Sequence, residues 1–166
     1  MDAAFHVGDW GTVADMAAGG AASDAAGHGM AVRALVHLGR GDEARGGRWR
    51  ALDAVLSAYA QAWALSGSAG SDDSAAWDRV IGKMQAALQE VSQDSERSAA
   101  GVVAARVFAL AGRTAEAYAQ AAVVALPEAQ ALLVPLLLRI GRADLARRKA
   151  DKIAASSEPY GPLANL

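Results

Sequence analysis

The chain has 166 residues, about a quarter of them alanine and none of them cysteine, and its 16 basic and 18 acidic residues leave a net charge of −2. Without cysteine there is no disulfide framework, thiolate metal site or cysteine nucleophile, and so balanced a charge supplies no field that would by itself recruit nucleic acid or an anionic membrane. A chain of this size forms one domain with a core that needs no staples. Its alanine content, with few aromatic and β-branched residues, predicts an all-α fold.

Helices are predicted near 9–18, 26–38, 42–65, 74–92, 97–111, 114–125, 128–140 and 142–156, within one domain spanning 1–166. Gly46-Gly47 weakens the start of the third helix, which moves its expected beginning nearer Arg48. Pro127 suits a first helical turn, whereas Pro135 falls inside the next helix and should kink it. The longest uncharged, mostly apolar run, Ala54 to Leu65, is shorter than the roughly 20 residues of a membrane span. Met1 to His6 shows neither a basic nor an apolar leader, and the expectation is a soluble cytoplasmic protein.

One phrase, G-R-x-x-x-A, recurs at Gly39-Arg40, Gly112-Arg113 and Gly141-Arg142, each time between two helical patterns. Glycine reaches the left-handed conformation that closes a helix, and the small Ala five positions on lets the next helix pack back, so the phrase reads as a helix-turn-helix corner. Gly8-Asp9-Trp10 is a looser fourth copy. The corners recur at one or two periods of about 30 to 36 residues, the spacing of tetratricopeptide-type repeats. The corner missing from the long interval belongs near Ser74 to Trp77, after the Gly/Ser/Asp-rich stretch 66–73. The resulting prediction is a right-handed α-solenoid.

Chemistry-bearing patterns are sparse. His6, His28 and His37 lack the i, i+4 spacing of a helical metal pair. Asp42-Glu43 and Asp72-Asp73 stand at predicted helix starts, where carboxylates cap free N–H groups. No phosphate-loop pattern occurs, and no catalytic, cofactor-binding or metal-ligating residue is singled out. Trp10, Trp49, Trp63 and Trp77 are expected in the core between helix layers. The basic run Arg142, Arg147, Arg148, Lys149 and Lys152 reads first as a solvated helix face. Stacked repeats favour binding of a partner over chemistry. The positions six and two before each corner glycine would line the inner face: Arg33 and His37, Arg106 and Leu110, Pro135 and Arg139. Arginine is enriched at interfaces, so Arg33, His37, Arg106 and Arg139 are the candidate partner contacts.

With these residues in this order, the chain resembles the epsilon subunit of coatomer, the COPI vesicle coat. Ala4-Phe5-His6-Val7-Gly8-Asp9-Trp10 is similar to the family's opening, and the run Leu137 to Arg148 is similar to its leucine pair, Asp-Leu-Ala and basic pair. Val103 to Ala117 looks like its preceding helix pair, and Leu163-Ala164-Asn165 like the start of the next. Gly141 departs from the polar residue usual there, and the family's chain runs on for several more helix pairs, which would make this sequence roughly its N-terminal half. The resemblance implies a non-enzymatic, cofactor-free scaffold that clasps the C-terminal domain of coatomer alpha among the other coat subunits. Its place would be cytoplasmic, peripheral to Golgi membranes and COPI vesicles. The apolar end at Leu163 and Leu166 leaves the last repeat without a polar cap, so self-association is expected. Two other readings stay open: a different tetratricopeptide adaptor, for which inner-face Lys and Asn would be expected, and a helical lipid-binding or enzymatic domain using the basic helix 142–156.

Overall fold

A computed structural model describes Ala4 and residues 8–18, 23–44, 49–68 and 73–155. Among these residues there is no strand. Eight α-helices follow one another: α1 (Trp10–Met16), α2 (Ala25–His37), α3 (Arg50–Ser66), α4 (Ser74–Gln89), α5 (Asp94–Leu110), α6 (Thr114–Ala122), α7 (Pro127–Arg139) and α8 (Ala143–Ala155). The all-helical expectation holds, and the boundaries differ mainly at α3. Instead of a helix from 42, Gly41–Ala44 forms one 3-10 turn and α3 starts at Arg50, just past the glycine pair. Pro135 lies inside α7, which continues through it to Arg139.

The glycine corners have a common geometry. Gly8, Gly39, Gly112 and Gly141 take φ of 77°, 72°, 72° and 75°, and no other described residue has a positive φ. Behind Gly39, the Arg40 N–H donates to Leu35 O at 2.8 Å and the Gly39 N–H to Val36 O at 3.1 Å. Arg113 with Phe108, and Arg142 with Leu137, repeat the longer bond at 2.9 and 2.8 Å. This paired closure satisfies two of the carbonyls a helix end leaves open and turns the chain sharply. The starts are closed by side chains: Asp9, Asp24 and Asp73 accept from the N–H groups of Thr12, Gly27 and Ala76. Asp72 lies outside the described residues, and Glu43 pairs with Arg40 at 2.7 Å rather than capping.

α5 organises the packing. Every residue from Ala99 to Ala105, together with Val107 and Phe108, is buried. A helix apolar on every side is enclosed by others, and α2, α3, α4, α6 and α7 all pack on α5. Its side chains are mostly Ala, Gly and Val, which admit neighbours closely: a Cβ on Gly101 would stand 2.7 Å from Val124 Cγ2. The helices α5 to α8 stack in chain order, each on the next. α2, by contrast, reaches past its neighbours to α5 and α7, a departure from stacking in which a repeat touches only adjacent repeats. Glu96 of α5, itself buried, closes the start of α3 by accepting from the Leu52 N–H at 3.0 Å, a position where Trp49 provides no side-chain cap. No described helix is long and apolar enough to cross a membrane.

Candidate functional site

The corner rule brings equivalent positions of α2, α5 and α7 to one place. His37, Leu110 and Arg139, each two residues before its corner glycine, line a single open cleft of about 220 Å³. Arg106, six before Gly112, lines it too, and Trp10, Tyr59, Trp63, Ala109 and Leu132 complete the wall. Of the other two inner-face positions, Pro135 is exposed outside the cleft and Arg33 is buried and absent from its lining.

Arg33 is the main correction to the expected set. Its side chain is 2% exposed, and its guanidinium forms a two-pronged pair with the Glu128 carboxylate, 95 residues away, while Nε donates to Gly29 O at 3.0 Å. A residue so enclosed does not reach a partner; it holds the site's frame. Arg106 shares the same carboxylate, with Nε and Nη2 each 2.9 Å from Glu128 Oε1, yet stays 30% exposed. Glu128 tolerates burial because two cations meet it and because it sits in the first turn of α7, at the positive end of that helix dipole. Three helices, α2, α5 and α7, are thereby tied by one carboxylate.

The aromatic side of the cleft is equally ordered. The His37 ring stacks on Trp10, with centroids 4.2 Å apart and planes 6° from parallel, and meets Trp63 edge-on at 4.1 Å. Tyr59, 3% exposed, places its hydroxyl 3.1 Å from His37 Nε2. Burial, and then the guanidiniums of Arg106 and Arg33, hold the His37 pKa below its ordinary value of 6.5. The ring is therefore neutral near pH 7, and it shares a hydrogen bond with the Tyr59 hydroxyl through Nε2. Burial raises the Tyr59 pKa, so that hydroxyl stays protonated. The tryptophans divide: Trp49 and Trp77 are buried in the core as expected, whereas Trp63 is 39% exposed and Trp10 half-buried, both as walls of the cleft.

No acidic side chain is among the described residues of the lining, while Arg106 and Arg139 both reach it. Arg139 is exposed, and its Nη1 lies 3.5 Å from Ala109 O, at the long limit of a hydrogen bond. Elsewhere the titratable groups form local structure. His28 pairs with Asp53 at 2.6 Å across α2 and α3, and His6 lies outside the described residues. Among the described residues, no three His, Asp or Glu gather in a manner that would hold a metal ion. On α8, Arg147, Arg148 and Lys152 are exposed, Arg148 pairs with Asp144 at 3.0 Å, and Lys149 turns back to Gln130 on α7.

Sequence reasoning missed Glu128, which reads locally as an ordinary first-turn carboxylate after Pro127. It also missed Tyr59 and the exposure of Trp63, since nothing in α3 alone shows which of its faces meets α2. Comparison of the chain with protein-family models, with curated proteins and with solved structures gives no match.

Proposed function

We propose that this chain is a non-enzymatic helical scaffold, a right-handed α-solenoid of the coatomer epsilon kind, which holds the C-terminal domain of coatomer alpha within the COPI coat. The observation that carries it is the convergence of equivalent corner positions, His37, Leu110, Arg139 and Arg106, on one open cleft. Repeats in register turn the same helix face to a common side, and repeat proteins bind along that side. The run Leu137 to Arg148, which carries the family resemblance, forms the corner of α7 and α8 and so supplies Arg139 to the cleft. Part of the family's opening, residues 5–7, and the stretch 163–165 lie outside the described residues. In this reading the protein works in the cytoplasm, with membrane contact only through the rest of the coat.

The test is direct. The purified chain is mixed with the purified C-terminal domain of coatomer alpha at about 10 μM each, a range that reports micromolar affinity, and followed by gel filtration with light scattering. Co-elution as a defined complex is expected. Separate elution, together with no heat of binding in calorimetry, overturns the coat assignment.

A further inference from the structure

We propose that the cleft binds an acidic segment of a partner protein, with a carboxylate side chain on Arg139 and Arg106 and a neighbouring aromatic or aliphatic side chain against Trp63 and Leu132. The proposal deepens the scaffold reading above and rests on it for supposing that the ligand is a protein.

Charge complementarity selects the acid. Two guanidiniums, Arg106 and Arg139, stand among the described lining residues of the cleft, and no carboxylate does. Glu128 is shared between Arg33 and Arg106, so one carboxylate meets two guanidiniums and the three groups together keep a net positive charge. A cation is excluded, even though Trp and His walls can otherwise enclose one, because it would meet Arg106 and Arg139 head-on. His37 adds no charge: its ring is neutral, stacked on Trp10 and bonded through Nε2 to Tyr59. It serves as a rigid spacer between the two indoles.

The walls select the neighbour. Trp63, Leu132, Ala109 and Leu110 provide an apolar side that Arg139 borders. The volume, about 220 Å³, suits one bulky side chain and an adjoining carboxylate rather than a folded surface. Such a site has the composition of an interface hot spot: tryptophan, tyrosine and arginine held in place before the partner arrives. Arg106 is fixed by Glu128, so its charge is presented without loss of side-chain freedom on binding.

The experiment uses the full chain and a short fluorescein-labelled peptide, acetylated and amidated, with Glu-Asp-Phe at its centre among Gly and Ser. Fluorescence polarisation should show saturable binding that weakens with added salt. The Gln-Asn-Phe and Glu-Asp-Ala peptides should each bind about tenfold more weakly or worse, the loss typical of removing one anchor. Arg139→Gln should lose the same factor with helix content and melting near wild type, since Arg139 is exposed; Trp63→Ala should lose it too, with a lower melting point because its edge contact with His37 goes. Arg142→Ala, exposed at the start of α8 and outside the cleft, should bind as wild type. Equal binding of the amide peptide, wild-type affinity in Arg139→Gln, or no saturation up to about 1 mM overturns the proposal. So does binding to phosphatidylserine vesicles that depends on Arg139 while the peptide does not bind. The two readings fail separately. Peptide binding without coatomer alpha binding removes the coat assignment and leaves the cleft. Coatomer alpha binding that is indifferent to Arg139→Gln and Trp63→Ala removes the cleft and leaves the scaffold.

Discussion

Replacing Glu128 by Gln removes the one negative charge that ties α2, α5 and α7, and its effect on stability can be estimated from the geometry. Arg33, 2% exposed, loses its ion pair with the Glu128 carboxylate and keeps the Gly29 carbonyl at 3.0 Å. Removing one partner of a buried pair costs about 3–5 kcal/mol. Arg106 is 30% exposed, so water screens its loss to under about 1 kcal/mol. The new amide oxygen still accepts one N–H, which offsets about 1 kcal/mol. The net expectation is a destabilisation of about 3 kcal/mol, or a fall of about 1.5 M in the urea midpoint for a typical slope of about 2 kcal/mol per molar. Arg33→Met reverses the asymmetry: it takes the buried cation away, keeps a stem of similar length, and leaves Glu128 with Arg106. Its cost should be smaller, about 1–2 kcal/mol. The double variant should cost less than the two singles together, since they share one interaction. Urea unfolding at pH 7, followed by far-UV circular dichroism, measures all three. A Glu128→Gln variant within about 0.5 kcal/mol of wild type, or an Arg33→Met variant that is the worse of the two, refutes the assignment of Glu128 as the buried keystone.

Acidification should act through His37. Its pKa in the fold lies below the ordinary value of 6.5, so the unfolded chain binds the proton first, and stability is complete above that value and declines as the pH falls below it. The wild type's margin over His37→Phe should therefore shrink between about pH 7.5 and 5.5; a constant margin in denaturation at both pH values would remove the depressed pKa. Gly101→Ala should destabilise by about 1–3 kcal/mol, because its Cβ meets Val124 Cγ2 at 2.7 Å. Gly82→Ala, exposed in α4 with nothing within 4 Å, should stabilise by about 0.5–1 kcal/mol. Opposite signs in thermal melts check the pair, and a stabilising Gly101→Ala would contradict the close approach at that position. At the α5–α6 corner, Gly112→Ala forces a side chain into φ of 72° and should lower stability by about 1–2 kcal/mol, measured in the same melts; no loss would show that the corner can rearrange.

The corners were legible because they are local. A left-handed residue at a helix end nearly demands glycine, so Gly8, Gly39, Gly112 and Gly141 could be picked from the chain and are the positive-φ residues among those described. The helices between them followed from alanine content, and the start of α4 also from Asp73, since propensity and capping act within a few residues. For α3 the start near Arg48 expected from Gly46-Gly47 lies two residues from the observed Arg50, whereas the distant carboxylate of Glu96 that closes it could not be read locally.

What the chain order could not convey is which helix faces which. The inner-face rule named Arg33, His37, Arg106 and Arg139, but it treated the two arginines six positions before a corner as equivalent. Packing separates them: α2 folds against both α5 and α7, so Arg33 is enclosed on Glu128 while Arg106 reaches the cleft. Packing likewise leaves Trp63 in a wall of the cleft and puts Trp77 in the core. Periodicity and turn chemistry, which depend on neighbours in sequence, were set by the sequence alone. The charge network and the shape of the cleft arise from contacts between residues as far apart as Arg33 and Glu128, and those exist only once α5, apolar on every side, has drawn the other helices around it.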